Sequence, residues 1–311
     1  MGISTFFCCT SLVVVDLQEG LQKIGSMGFA ECTSLVTIAM PSSVSTIAAR
    51  AFEKCTGLVE AYLPNEGSLT KLDEGLFASC CCLVESIQIP SSVQVIRREA
   101  LVGCTSLVQV DFPNVLRTIE ALAFWKCHSI KDLGTPLPPT VETIEYLTFS
   151  ECHRLTEVSL PQGLKVVNVE CFRECALLEK VYLPASVTHI MERAFMGCAS
   201  LSDVHLVEGL QVIEEGAFED CVSLAAIQIP STVESVSYEA FSNCQSLICI
   251  EISSSSSVEL CDGALVGCQS LVNICLPKTN KDEKYSYLES WRFHGCPLLQ
   301  QQYDCWLLGR M

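Results

Sequence analysis

A cysteine returns every 23 to 28 residues along this chain, at positions 9, 32, 55, 80, 104, 127, 152, 175, 198, 221, 244, 268 and 296. Three residues after each stands Leu, replaced once by Ile130. Three residues before each stands Phe in eleven of the thirteen cases, and the exceptions, Leu101 and Leu265, are also large and apolar. Thirteen coincidences at nearly one period identify an internal repeat, which must be read before any local pattern. A chain of 311 residues would otherwise suggest two domains. A repeat array escapes that reading, because its core grows along one axis as layers are added.

Within each unit the Leu opens an alternating stretch such as Leu58-Val-Glu-Ala-Tyr-Leu63 or Leu178-Glu-Lys-Val-Tyr-Leu183. Alternation over five or six residues predicts a half-buried strand. Pro follows in eight repeats, at 41, 64, 90, 113, 161, 184, 230 and 277. Its missing N–H and fixed φ stop the strand ladder at the same height each time. A Ser-x-Val-x-x-Ile stretch comes next, as in Ser43 to Ile47, and leads to an Ala-Phe pair. The unit therefore reads as strand, turn, short helix or 3₁₀ segment, and strand again. One such unit cannot bury its own apolar face, so neighbours must stack to close it.

The unit running from Ile213 through Phe218, Cys221, Leu224 and Pro230 to Val233 resembles the consensus of the BspA-like leucine-rich-repeat family. The resemblance extends over residues ~3–300. It implies an α/β fold: a curved, right-handed leucine-rich-repeat solenoid of about 13 repeats, with a parallel sheet on its concave side. It also implies surface display or adhesion, as in many members, and no catalytic residues, so none are carried over. On this reading residues 1–300 are the solenoid and 301–311 a closing cap. Phe6, Cys9 and Leu12 are already in phase with no polar cap ahead, so the first face is either exposed or continued upstream.

Composition narrows the function. With 36 acidic against 19 basic residues and a formal charge of −17, the chain has no basic stripe to neutralise phosphates, which argues against nucleic acid. No apolar run reaches the ~18–20 residues that span a bilayer. The apolar stretch Ile3 to Val15 lacks a basic n-region and fits the repeat phase better than a signal peptide. Myristoylation fails at Phe6, and no Asn-x-Ser/Thr sequon occurs. The 21 cysteines would suggest disulfides in a secreted chain. But thirteen share one repeat position and would stack with parallel Cβ vectors, whereas a disulfide needs converging Cβ atoms ~3.8 Å apart. They read as small buried thiols donating weakly to backbone carbonyls. Reduced thiols favour a cytoplasmic over an extracellular setting. Cys80, Cys81 and Cys82 lack zinc-ligand spacing.

The outward side chains of the strands are the candidate binding face. The column reads Asp16, Ala39, Tyr62, Gln88, Asp111, an irregular layer, then Ser159, Tyr182, His205, Gln228, Glu251 and Cys275. Tyr62, Gln88, Asp111, Tyr182, His205, Gln228 and Glu251 are the residues expected to contact a protein partner, since Tyr is a frequent interface anchor. Strand propensity alone would also place Tyr there. No catalytic, cofactor-binding or metal-ligating set is expected. His128 and His153 follow the repeat cysteines of adjacent layers, and without further ligands they read as solvent-facing. Glu214 and Glu215 read as the solvated side of a short helix. Repeat six, with Gly134, Pro136, Pro138 and Pro139, predicts a short or bulged strand, and Lys278 to Lys284 an exposed charged loop.

Overall fold

The computed structural model describes residues 1–64, 69–134, 136–253, 258–261, 263–275 and 295–301. They fall into two compact units, Met1–Leu164 and Lys165–Met311. Both are parallel-strand β-solenoids with almost no helix, and together they comprise about ten turns.

Each turn contributes one longer and one shorter strand. In the first unit the longer strands are Thr37–Ala39, Glu60–Tyr62, Glu85–Gln88, Leu107–Asp111 and Glu157–Ser159. In the second they are Lys180–Tyr182, Asp203–His205, Ala226–Ile229, Cys249–Ile252 and Asn273–Cys275. The shorter strands grow from the Val-x-x-Ile stretches, such as Thr46–Ile47 and Val212–Ile213. Among the described residues the pairings are parallel and couple a residue to its equivalent one repeat on, as Ile38 with Ala61 or Val181 with Val204, except where a bulge after Glu85 sets it against Leu107.

Thirteen repeats were expected and about ten turns are found. The difference lies where the strand fails. Val14 of the first repeat makes only an isolated bridge to Thr37, and Asp132 of the sixth only one to Gln109. Gly134 at φ 66 and the prolines after it divert the sixth repeat, as its composition predicts. In the last repeat the residues after Cys296, 297–301, are helical.

The longer-strand ladder is also segmented. In the first unit Thr37–Ala39 pairs with Glu60–Tyr62, and Glu85–Gln88 with Leu107–Asp111, as separate sheets. The step from Cys55 to Cys80 is 25 residues, two more than its predecessor, and among the described residues the Val84 N–H to Val59 carbonyl bond at 3.3 Å carries across near the strand starts. In the second unit Asp203–His205 and Ala226–Ile229 likewise belong to different sheets.

Before the repeat cysteines the described residues form a pair of tight turns and not the short helix or 3₁₀ segment expected, so the α/β assignment is replaced by an almost all-strand one. Among the described residues helix occurs only at 297–301. The reason lies in where the N–H groups point. In one layer Gly28, Ala30 and Cys32 donate three residues back, to Gly25, Met27 and Phe29. The intervening N–H groups of Met27, Phe29 and Glu31 donate instead to Ala49, Ala51 and Glu53 of the next layer, at 3.2, 2.8 and 2.8 Å. The second unit repeats this with Arg193, Phe195 and Gly197 bonded to Glu215, Ala217 and Glu219. A helix would spend all these donors within its own chain segment. The geometry requires left-handed residues two before and two after the Phe, such as Met27 at φ 54 and Glu31 at φ 61, or Arg193 at φ 52 and Gly197 at φ 73. Non-Gly residues pay roughly 1–2 kcal/mol for that conformation, which the interlayer bonds and the buried Phe offset.

The core is built from the same segment. Phe29, Phe52, Phe77, Phe124 and Phe149 are fully buried in the first unit, and Phe172, Phe195 and Phe218 in the second. Their rings stack nearly parallel, with centroids 5.3 Å apart for Phe29 and Phe52 and 5.2 Å for Phe218 and Phe241. The cysteines behind them are thiols, as expected. Within a unit they donate to the carbonyl of the residue at the Phe position one layer back, as Cys55 to Phe29 at 3.1 Å, Cys127 to Leu101 at 3.2 Å and Cys221 to Phe195 at 3.3 Å. Burial raises the proton affinity of Cys127 and Cys244, pushing their thiols up to about 12. The charged stretch Lys278 to Lys284 and residues 302–311 of the expected cap lie outside the described residues.

Candidate binding face and a histidine cluster

Strand alternation turns one side chain of each longer strand inward and its neighbours outward. In the Lys180–Tyr182 strand Val181 is buried while Tyr182 is exposed; in Cys249–Ile252, Ile250 and Ile252 are buried while Glu251 is exposed. All seven candidate residues stand on the exposed side.

In the first unit, Tyr62 pairs in register with Ala39, leaving its ring 56% exposed over a methyl-sized neighbour. Its hydroxyl donates to Glu60 Oε2 at 2.9 Å, and that bond raises the phenol's proton affinity. Gln88 pairs with Asp111. These two side chains line a shallow cleft of about 430 Å³ with Ser91, Phe112 and Asn114. The carboxylate of Asp111 accepts from Gln109 Nε2 at 2.9 Å. Tyr62 belongs to a different sheet from Gln88 and Asp111, so the column is not the unbroken line its sequence suggests.

In the second unit, Tyr182 stands beside His205 in register, and His205 Nε2 lies 3.4 Å from Asp203 Oδ1. Gln228 stands beside Glu251, whose Cα partner on the far side is Cys275. These again fall in two sheets, the first ending at His205 and the second starting with Gln228. The rows differ in chemistry: Tyr62 stands beside Ala39, Gln88 beside Asp111, Tyr182 beside His205 and Gln228 beside Glu251, so each row offers its own ring, amide or carboxylate groups for stacking or hydrogen bonding.

His128 and His153 depart from the expectation that they face solvent. Both are half-buried, and their rings stack at 4.6 Å between centroids with an interplanar angle of 14°. Burial, and then the neighbouring His153, lowers the proton affinity of His128. Glu151 joins them, its Oε2 3.9 Å from His128 Nε2 and its Oε1 accepting from Trp125 Nε1 at 3.1 Å. Lys126 Nζ rests 4.4 Å over the centre of the Trp125 ring. Glu151 escaped the reading of the sequence because its place depends on a left-handed backbone at φ 59. The signal that could have found it is the adjacency Glu151-Cys152-His153 beside His128 in the preceding layer. Glu214 and Glu215 sit on a turn and not a helix, with Glu215 Oε1 3.4 Å from Arg193.

No described helix is long and apolar enough to cross a membrane. A structure of a leucine-rich repeat protein from Bacteroides ovatus ATCC 8483 is 27% identical, covers 94% of this chain and 79% of its own, and superposes with a TM-score of 0.77. A leucine rich cell surface protein from Faecalibacterium prausnitzii A2-165 is 25% identical over 91% of this chain and 84% of its own, with a TM-score of 0.53. A leucine-rich repeat protein from Eubacterium ventriosum ATCC 27560, 18% identical, covers 85% of this chain and 83% of its own at a TM-score of 0.50, which bears on the fold alone. No curated protein matches. The family model described as BspA type leucine rich repeat region (6 copies) matches residues 1–100, 70–202 and 188–304. The recurring Phe, Cys and Leu, the parallel layers they build and this match over nearly the whole sequence make the chain a member of the BspA-type leucine-rich-repeat family.

Proposed function

We propose that this chain is a non-catalytic scaffold that binds a protein partner through the outward face of its longer strands. The contacts come from Tyr62, Gln88 and Asp111 in the first unit and from Tyr182, His205, Gln228 and Glu251 in the second. The observation that carries the reading is the register of Tyr182 beside His205, two ring side chains held exposed on adjacent parallel strands. Their backbone is already ordered by strand pairing and each ring has only two side-chain torsions, so ordering them on binding costs less than ordering long flexible side chains. The leucine-rich-repeat family is a non-enzymatic class, which supports the absence of a catalytic role. The partner is a protein and not a nucleic acid, given the charge of −17. No cofactor takes part. The proposal includes a right-handed array over residues 1–300, the face being its concave side, with 301–311 as its cap.

The test replaces Tyr62, Tyr182 and His205 together by Ala and compares capture of partners by the immobilised wild-type and triple-variant chains. All three side chains are exposed, so the thermal midpoint should hold while capture falls. Undiminished capture by a folded triple variant removes the face from consideration.

A second reading, cell-surface adhesion, is favoured by the likeness to the cell surface protein of Faecalibacterium prausnitzii. It competes with the cytoplasmic setting that the reduced thiols favour. Antibody labelling of intact cells separates them: surface signal supports adhesion, and signal only after permeabilisation supports the cytoplasmic scaffold.

A further inference from the structure

We propose that His128, Glu151 and His153 bind a single zinc ion on the first unit, at a site independent of the outward strand face. Zinc takes imidazole nitrogen and carboxylate oxygen at about 2.0–2.2 Å, and a site with three protein ligands leaves a fourth position for water.

Three observations meet at this cluster. The first is geometric. One ligand atom from each of His128, Glu151 and His153 lies within 4.8 Å of the other two. Ligands around one tetrahedral ion stand roughly 3.4 Å apart at these bond lengths. To bind one ion the two rings must turn out of their face-to-face stack so that their in-plane lone pairs converge, a side-chain rearrangement that zinc binding would have to drive.

The second is an unmet hydrogen bond. His128 Nε2 is shielded from solvent and has no hydrogen-bond partner, Glu151 Oε2 standing too far away at 3.9 Å. A polar atom left so is expensive, and a metal bond would satisfy it. The stack sets the two imidazoles of successive layers side by side.

The third is support from outside the ligand set. Trp125 Nε1 donates to Glu151 Oε1 at 3.1 Å and leaves Oε2 turned toward His128. Such outer partners fix a ligand's orientation and commonly set metal affinity. Lys126 sits over the Trp125 ring and its charge still reaches His128, so it opposes a cation here and Lys126→Gln should strengthen zinc binding. The cysteines next to both histidines do not compete, because Cys127 and Cys152 Sγ point inward to the carbonyls of Leu101 and Phe124.

The choice of zinc follows from the donors. Two imidazoles and one carboxylate are poor ligands for calcium or magnesium, which prefer oxygen alone. Three protein ligands leave the fourth position to water. The zinc ion would tie two successive layers together through side chains at the point where the sixth repeat loses its strand.

The experiment uses the full chain with the exposed Cys8, Cys82 and Cys261 changed to Ser, so that surface thiols do not take up the metal. Zinc chloride is titrated into metal-free protein by calorimetry, and thermal midpoints are recorded with and without zinc. The expected result is one zinc per chain, a midpoint raised by zinc through mass action, and loss of both effects in the His128→Asn/His153→Asn variant. Glu151→Gln, which keeps size and shape, should weaken binding at least about tenfold, and Trp125→Phe by about ten- to a hundredfold. Metal-free midpoints of Glu151→Gln and Trp125→Phe monitor folding should the double variant not fold. Failure of the parent to take up zinc, or equal uptake by the folded variants, overturns the site and leaves the partner-binding face untouched.

Discussion

Cys55 Sγ donates to the backbone carbonyl of Phe29, 3.1 Å away and one layer back, while the N–H of Cys32 reaches the same oxygen at 3.2 Å. One acceptor thus serves two donors from successive layers, and the pattern recurs wherever the Phe and Cys columns run. The thiol suits this corner because it fills a small buried space and offers a donor that costs little to bury.

Removing that donor should be felt. Cys221 is fully buried and bonded to the Phe195 carbonyl at 3.3 Å. Cys221→Ala should lower the unfolding free energy by about 1–2 kcal/mol, from lost packing and a lost weak hydrogen bond. Equilibrium unfolding in urea reads the change as a lower midpoint with an unchanged slope.

Alkaline pH should weaken the fold. Burial raises the thiols of Cys127 and Cys244 to about 12 from an ordinary value of 9.0. The folded protein therefore holds these protons over a range in which the unfolded chain releases them. Their contribution is complete below pH 9 and declines toward pH 12, at up to about 1.4 kcal/mol per pH unit for each group. Urea midpoints measured from pH 8 to 11 should fall progressively. At neutral pH, a thiol reagent should modify the exposed Cys8, Cys82 and Cys261 in the native protein and the stacked cysteines only on unfolding.

The Phe column tolerates Leu by its own testimony, since Leu101 and Leu265 occupy it and are buried. Phe218→Leu should cost less than about 1.5 kcal/mol, whereas Phe218→Ala opens a cavity between Phe195 and Phe241 and should cost about 3–5 kcal/mol. Thermal denaturation of the two variants gives the comparison.

Glu170 stands at φ 52 in the turn position that Gly216 and Gly263 occupy in later layers. Its ion pair with Arg173, at 3.7 Å and partly exposed, is worth little. Glu170→Gly should therefore raise stability by about 0.5–1 kcal/mol, against the usual penalty for introducing Gly. A higher thermal midpoint checks it.

The period made Phe218, Cys221 and Leu224 legible as core, and the parallel Cβ vectors made the cysteines legible as thiols. The helix at Glu214 to Phe218 was misread because residues such as Glu, Gly and Ala suit both a helix and a paired turn. What separates them is whether the Phe218 N–H bonds within its own layer or to Ala240 of the next, and that partner lies 22 residues away. The exposure of Tyr182 and Glu251 followed from alternation, a local rule. The breaks in their column did not, because strand pairing depends on register between layers. Glu151 was hidden for a related reason: its reach toward His128 depends on a backbone dihedral that no side-chain pattern encodes.

The central claim is that layers are joined through the Phe turns, and amide hydrogen exchange of Phe52 and Phe195 tests it most directly. Their N–H groups bond to Leu76 and Ala217 of the following layers at 3.0 and 2.8 Å. The account predicts protection of both amides approaching that of global unfolding. Exchange as fast as in an open surface turn would contradict it.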